Sequence, residues 1–141
     1  MDKEYVYRFL NENPMFHLAS IHHGKPHVRA LLLYRADING IVFHTSKSKE
    51  LFYQLNNDPH VELCFNNFDQ NIQIRVEGAV EFIEDLKLKN EIIEGRQELK
   101  PWIFQSGIDM LSVVCLRNGL ANIWTPELTF MPKRYIRLWE N

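Results

Sequence analysis

Residues 71–83 constrain the chain most. Ile72, Ile74, Val76, Val80 and Phe82 alternate there with Gln73, Arg75, Glu77 and Glu81, the two-residue period of a strand that buries one face and wets the other. Such a strand needs a sheet, and much of the remaining chain reads as its neighbours. Segments 15–21 and 27–35 flank the turn His22-His23-Gly24-Lys25-Pro26 and predict a hairpin. Asn39-Gly40, a type I′ turn signal, then leads into 41–45 and extends the hairpin into a meander. A strand at 60–66 precedes the alternating run, segments 111–117 and 120–125 predict a closing hairpin around Asn118-Gly119, and 134–138 predicts a last edge strand.

Helical periods lie between these strands. Tyr5, Val6, Phe9 and Leu10 share one side of 2–13, which Pro14 stops, and Leu51, Phe52 and Leu55 share one face of 46–57. The charged stretch 84–106 reads as two helices broken at Gly95 or at Lys100-Pro101. Six or seven antiparallel strands with short helices between them predict a mainly β, α+β fold, a small closed or partly closed barrel, because closure removes the free edges of a meander.

With 141 residues and 45% apolar side chains, the chain is expected to form one domain, 1–141. Sixteen basic against 18 acidic residues provide no basic field, so no nucleic-acid partner is expected. The longest apolar run is 30–34 and the N-terminus is charged from Asp2, so neither a membrane span nor a secretory leader is expected. Cys64 and Cys115 form no disulfide framework and no CxxC pair, which fits a reducing, cytoplasmic setting.

Chemistry concentrates at Phe43-His44-Thr45-Ser46-Lys47-Ser48-Lys49, where a strand is expected to run into a helix. Hydroxyls at a helix start cap free N–H groups. Lys47 and Lys49 oppose the positive end of the helix, with only Glu50 offsetting them. An anion between hydroxyls, amides and ammonium groups would reverse that conflict, which makes the segment a phosphate-cup candidate; the other reading is solvated lysines on a short surface helix. Arg29 sits in an otherwise apolar strand, where an arginine either has a fixed anionic partner or snorkels to the rim. Gln73 is either near a ligand or merely solvated. Trp124 is a core or interface aromatic, or a ring stacked on a planar ligand. The six histidines predict no metal site, because the adjacent pair His22-His23 falls in a turn, where imidazoles are commonly exposed. A serine or cysteine nucleophile is not expected either, since there is no GxSxG elbow.

Arg29-Ala-Leu-Leu-Leu-Tyr34, Gly40-Ile-Val-Phe-His-Thr45, Lys49, then 55–63 (LNNDPHVEL) and Val76-Glu77-Gly78-Ala79-Val80 together resemble the pyridoxamine 5′-phosphate oxidase-like flavin-binding split barrels, over 16–138. The resemblance implies a six-stranded antiparallel split β-barrel, a homodimer, and FMN in clefts between the subunits. It implies that Arg29, Ala30 and Leu31 run along the flavin towards its phosphate, that His44 and Thr45 lie on the next contact strand, with Ser46 after them also among the cofactor-binding residues, and that Ser48 and Lys49 stand at the phosphate. It further implies that Gln73 lies near the flavin ring and that Trp124 reaches the flavin from the other subunit. Where the true oxidase has a lysine after its Arg-x-x-Leu-Leu segment this chain has Tyr34, and the oxidase's C-terminal His-Asp-Arg run has no counterpart in 127–141. The chain is therefore similar to the short members, nitroimidazole-resistance-like and general-stress-like flavoproteins. The expectation is an FMN-dependent oxidoreductase of an unknown small molecule, with NAD(P)H as a candidate electron donor, and not a pyridoxine phosphate oxidase. Alternatives are deazaflavin in place of FMN, or a non-catalytic barrel that stores or senses flavin or haem.

Overall fold

The computed structural model describes residues 2–139, so Met1, Glu140 and Asn141 of the expected 1–141 domain lie outside the described residues. Helix α1 (Lys3–Glu12) opens at Asp2, whose carboxylate accepts from Tyr5 N at 3.0 Å, and buries Val6, Tyr7, Phe9 and Leu10. The chain then forms β1 (Met15–His22), β2 (Lys25–Leu32), β3 (Arg35–Asp37), β4 (Gly40–Ser46), α2 (Glu50–Asn57), β5 (His60–Asn67), β6 (Ile72–Ala79), β7 (Glu81–Ile83), α3 (Leu86–Gly95), α4 (Lys100–Ser106), β8 (Leu111–Leu116), β9 (Leu120–Trp124) and β10 (Tyr135–Arg137).

These strands form two antiparallel sheets, a six-stranded one in the order β10-β9-β6-β5-β1-β2 and a four-stranded one in the order β3-β4-β8-β7. The split barrel is thus present, but with more and shorter strands than the sequence periods predict, because strands that read as continuous change sheets at corners. Segment 27–35 is β2 and β3, separated by Leu33-Tyr34 and placed in different sheets, and 71–83 breaks at Val80 into β6 and β7. The expected closing hairpin does not form: β8 pairs with β4 and β7, while β9 pairs with β6 and β10. At the corner between them a Cβ on Gly119 would meet Leu116 Cδ2 and Val76 Cγ1 at 2.6 Å, so only glycine lets the chain turn that tightly against the core.

Two turns also differ from expectation. The first hairpin closes over His23 and Gly24 alone, at φ 51° and 73°, so its strands run nearer the tip than the five-residue turn implied. In the second, Asp37 pairs with Gly40, which leaves Ile38 and Asn39 as the loop; β4 pairs with β3 and β8, so no meander continues from β2.

The core lies between the sheets. Phe16 stacks on Phe65 at 4.8 Å and meets Phe43 edge-on at 5.4 Å, and all three are fully buried. Every residue of β8 is buried, because α3 covers the other face of the four-stranded sheet and seats Ile92 against Val42, Val113 and Cys115. The outer face of the six-stranded sheet has no such cover: Met15, Ile21, Val28 and Leu32 are exposed on it.

Candidate functional site

A cleft of about 770 Å³ opens between the β1–β2 edge, the end of β4 with the loop after it, and α4. Its lining includes Ala30, Leu31, His44, Thr45, Ser46, Ser48 and Lys49, seven of the ten residues picked out from the sequence. Arg29, Gln73 and Trp124 do not line it. Leu99, Arg96, Trp102, Ile103 and Met110 do, and sequence reasoning missed them, since nothing in a charged helical stretch marks which side chains face a cavity.

One end of the cleft is polar. Helix α2 begins at Glu50 rather than at Ser46, with Lys49 as its N-cap and no side-chain oxygen capping its first turn. The hydroxyls expected to cap it do something else: Ser46 Oγ accepts from Ser48 N at 3.2 Å and lies 2.8 Å from Ser48 Oγ, which fixes the loop between strand and helix. The N–H groups at the start of α2 therefore lack a side-chain acceptor. Thr45 is buried and its Oγ1 finds no hydrogen-bond partner among the described residues. A buried hydroxyl is ordinarily satisfied; this one belongs to a residue that lines the cleft together with Ser48 and Lys49, just ahead of them in the chain. Lys47, expected to share the cup, does not line the cleft and faces Glu84 at 3.9 Å, so Lys49 is the cation of this end.

His44 is the histidine of the cleft. Burial, reinforced by the charges of Arg96 and Lys49, pushes its pKa down to about 4, so the ring is neutral near pH 7. Arg96 Nη1 lies 2.6 Å from His44 Nε2. A guanidinium only donates, so Nε2 accepts and the ring proton sits on Nδ1. Arg96 Nη2 donates to Leu33 O at 2.6 Å, and the guanidinium lies over the Tyr34 ring. The Tyr34 hydroxyl itself donates to Glu91 at 2.6 Å.

The three remaining sequence candidates sit elsewhere. Arg29 has neutral partners in place of the expected anion: it donates to Ser20 Oγ at 2.9 Å and to Gln54 Oε1 at 2.5 Å, tying α2 to the β1–β2 hairpin. Burial lowers its pKa and Glu50 works against that. Nor is its strand covered on both sides, since β2 is a sheet edge with Val28 exposed. Gln73 donates to Asn66 Oδ1 at 3.0 Å and stands opposite Trp124 in register, on the outer face of the six-stranded sheet. Among the described residues no cluster of three or more His, Cys, Asp or Glu side chains could hold a metal, and no helix is long and apolar enough to cross a membrane.

This arrangement has relatives. Residues 2–115 match the family model described as pyridoxamine 5′-phosphate oxidase. The chain belongs to that family. A pyridoxine/pyridoxamine 5′-phosphate oxidase of Gluconobacter oxydans is 42% identical over 60 residues, which is 43% of this chain and 30% of the relative. The matched stretch thus spans under a third of the curated relatives' length. The fold is that of a NimC/NimA family protein of Clostridium acetobutylicum (TM-score 0.77, 20% identity, 96% of this chain and 92% of that one) and of general stress protein 26 of Bacillus anthracis (0.76, 19%, 96% and 97%). Two further structures with this fold are named for what they bind, a FAD-binding protein of Mesorhizobium loti (0.65, 15%, 89% and 96%) and a haem-binding protein of Mycobacterium smegmatis (0.71, 15%, 98% and 59%).

Proposed function

We propose that the cleft holds FMN and that the protein is an FMN-dependent oxidoreductase of a small molecule, working as a homodimer in the cytoplasm. The observation that carries this reading is the buried, unpartnered Thr45 hydroxyl at the polar end of the cleft, with Lys49 and the uncapped start of α2 beside it. Together they offer donors and one positive charge to a phosphate. The rest of the lining suits a flat ring: Leu31, Leu32, Ile103, Met110 and Leu111 supply apolar contact and exclude water, and Trp102 an aromatic face.

When bound, the flavin supplies the electron and hydride transfer. The chain binds and orients it. Lys49, Ser48 and Thr45 hold the phosphate; His44 stays neutral and aims Arg96. With Arg96 in this position His44 Nε2 accepts from it, so His44 is not assigned as a general acid or base. Tyr34, which replaces the oxidase's lysine, is turned to Glu91 and lies outside the cleft lining, and this supports a substrate other than pyridoxine 5′-phosphate.

The dimer reading rests on the uncovered outer face of the six-stranded sheet. Met15 faces Leu32 and Ala19 faces Val28 across β1 and β2, with His17 facing Ala30 between them, a mostly apolar row that starts at the edge of the cleft. A second copy packed on that face would bury the row and carry Trp124 of the partner subunit towards the flavin ring. Both cysteines are free thiols, as a reducing cytoplasm would keep them.

An absorption spectrum and light scattering of the purified protein test the proposal. The expected result is a dimer with a flavin spectrum, about one FMN per chain, bleached by NAD(P)H. A colourless monomer after incubation with FMN overturns it, and a deazaflavin or haem spectrum replaces the cofactor. Pyridoxine 5′-phosphate should not be oxidised; turnover at the rate of a genuine oxidase would refute that part.

A further inference from the structure

Residues 94–110 run past the cleft without a single buried side chain. They include α4, whose Trp102, Ile103 and Ser106 form one wall of it. Yet Trp102 is 67% exposed and Phe104 95%. A helix of two turns is marginal unless packing holds it, and α4 has little packing.

What ties this segment down lies at its root. Leu99 rests against the cluster around Ile92. Arg96 donates to His44 and to Leu33 O, one partner on β4 and one between the two sheets, and its guanidinium lies 5.5 Å above the Tyr34 ring. Among the described residues Lys100 and Gln97 reach Glu94, at the end of α3, and no other side chain. Past the root, the backbone bonds are local, Gly107 N to Ile103 O at 2.8 Å and Met110 N to Gly107 O at 3.2 Å, until Lys47 N donates to Met110 O and rejoins the barrel. Gly107 has φ +90°, and a Cβ there would meet no atom within 4 Å. That position is glycine for its backbone angle and not for lack of room.

We propose that α4 is a flap that opens and closes the cleft, hinged at Gly107 and latched at its root by Arg96. Open, it admits a ligand past Trp102; closed, it sets Trp102 and Ile103 over the cavity and excludes water. The latch uses neutral acceptors, so opening breaks two hydrogen bonds and one stacking contact but no ion pair. The use of the flap rests on the reading of the cleft as a flavin site; its motion does not.

Amide hydrogen exchange on the full chain, with and without FMN, tests both. Without ligand, 100–106 should exchange at least about 100-fold faster than 88–93 of α3. Arg96→Met should speed exchange at 97–106 by about 10- to 100-fold, the value of two hydrogen bonds, and leave β4, β5 and β8 unchanged. Gly107→Ala, which has room but an unfavourable angle, should speed exchange of 100–106 by about 5- to 100-fold. FMN should slow exchange at 100–106. Protection of α4 equal to that of α3, Arg96→Met without effect at 97–106, or an acceleration spread evenly over the sheets overturns the flap. Bound FMN, seen by its absorbance, that leaves 100–106 unchanged overturns the closure of the flap over the cleft. If FMN does not bind, the flavin reading fails, while the ligand-free comparisons still decide the flap.

Discussion

The two walls of the cleft are built in opposite ways. On one side His44 and Thr45 belong to a strand paired with β3 and β8, next to a fully buried Phe43. On the other, α4 contributes no buried residue. Groups that must meet a ligand accurately are thus set by the core, which has no freedom to move a strand without moving its neighbours. Access is left to a wall that the core does not hold. The comparison puts Thr45 on the side the core holds, Ser48 and Lys49 in the exposed loop that follows it, and Trp102 and Ile103 on the wall with no buried residue.

The largest expected effect tests the rigid wall. Phe43→Ala removes a ring packed against Phe16 and should cost about 3 to 5 kcal/mol of stability in urea unfolding. Phe104→Ala, on α4, should stay within about 0.5 kcal/mol of the parent. Comparable losses for the two would mean that α4 is packed as firmly as β4, and the contrast between the walls would be gone.

Next comes pH, which acts at the join of the two walls, because His44 of β4 accepts from Arg96 at the root of α4. The unfolded chain protonates His44 near its ordinary pKa, about 6.5, whereas the folded protein resists until about 4. Between those values the unfolded state binds more protons, so stability falls as pH drops through that window and levels off below it. The whole contribution is about 3 kcal/mol at most. His44→Gln, which keeps an acceptor for Arg96, should flatten that part of the profile. An unchanged profile would show that His44 is not the group responsible.

These two predictions also mark what the sequence could disclose. Alternation in 71–83 and the strand before Thr45 expose the barrel and the polar end of the cleft, because period and turn chemistry are local properties. Sheet switching at Leu33-Tyr34, at Val80 and at Gly119 is not local. It depends on which edge the next strand finds free, so 111–125 read as a hairpin that the barrel does not contain. Arg96 was invisible for the same reason: its partners His44 and Leu33 lie 52 and 63 positions away. Arg29 shows the same limit: its partners Ser20 and Gln54 lie 9 and 25 positions away, and nothing in an apolar run names them.

Lys49 sharpens the comparison at the ligand. A charge-assisted contact contributes about 1.5 to 3 kcal/mol, so Lys49→Ala should weaken FMN binding by about 10- to 100-fold. Riboflavin, which has no phosphate, should lose much less. Equal losses for the two ligands, measured by titration, would remove the phosphate from this end of the cleft.

The smallest effect concerns Trp124, which belongs to neither wall. It stands opposite Gln73 on the outer face of the six-stranded sheet, away from the β1–β2 edge, 41% exposed, on a strand whose register with β6 fixes the ring's direction. In a dimer formed through that face it would lie between the subunits, either against the flavin or only against protein. Fluorescence quenching by FMN does not separate these by itself, because Trp102 lines the cleft and would be quenched first. In a Trp102→Phe background, quenching that persists on FMN binding and is lost on adding Trp124→Phe would come from Trp124. Trp124→Phe alone keeps most of the apolar area, so the dimer should survive while FMN affinity changes by about 0.5 to 1.5 kcal/mol, the share of an aromatic contact beyond burial. A variant that dissociates into monomers, with flavin properties unchanged in whatever dimer remains, would make Trp124 a residue of the interface alone and leave Trp102 as the only tryptophan, among the described residues, to reach the ring.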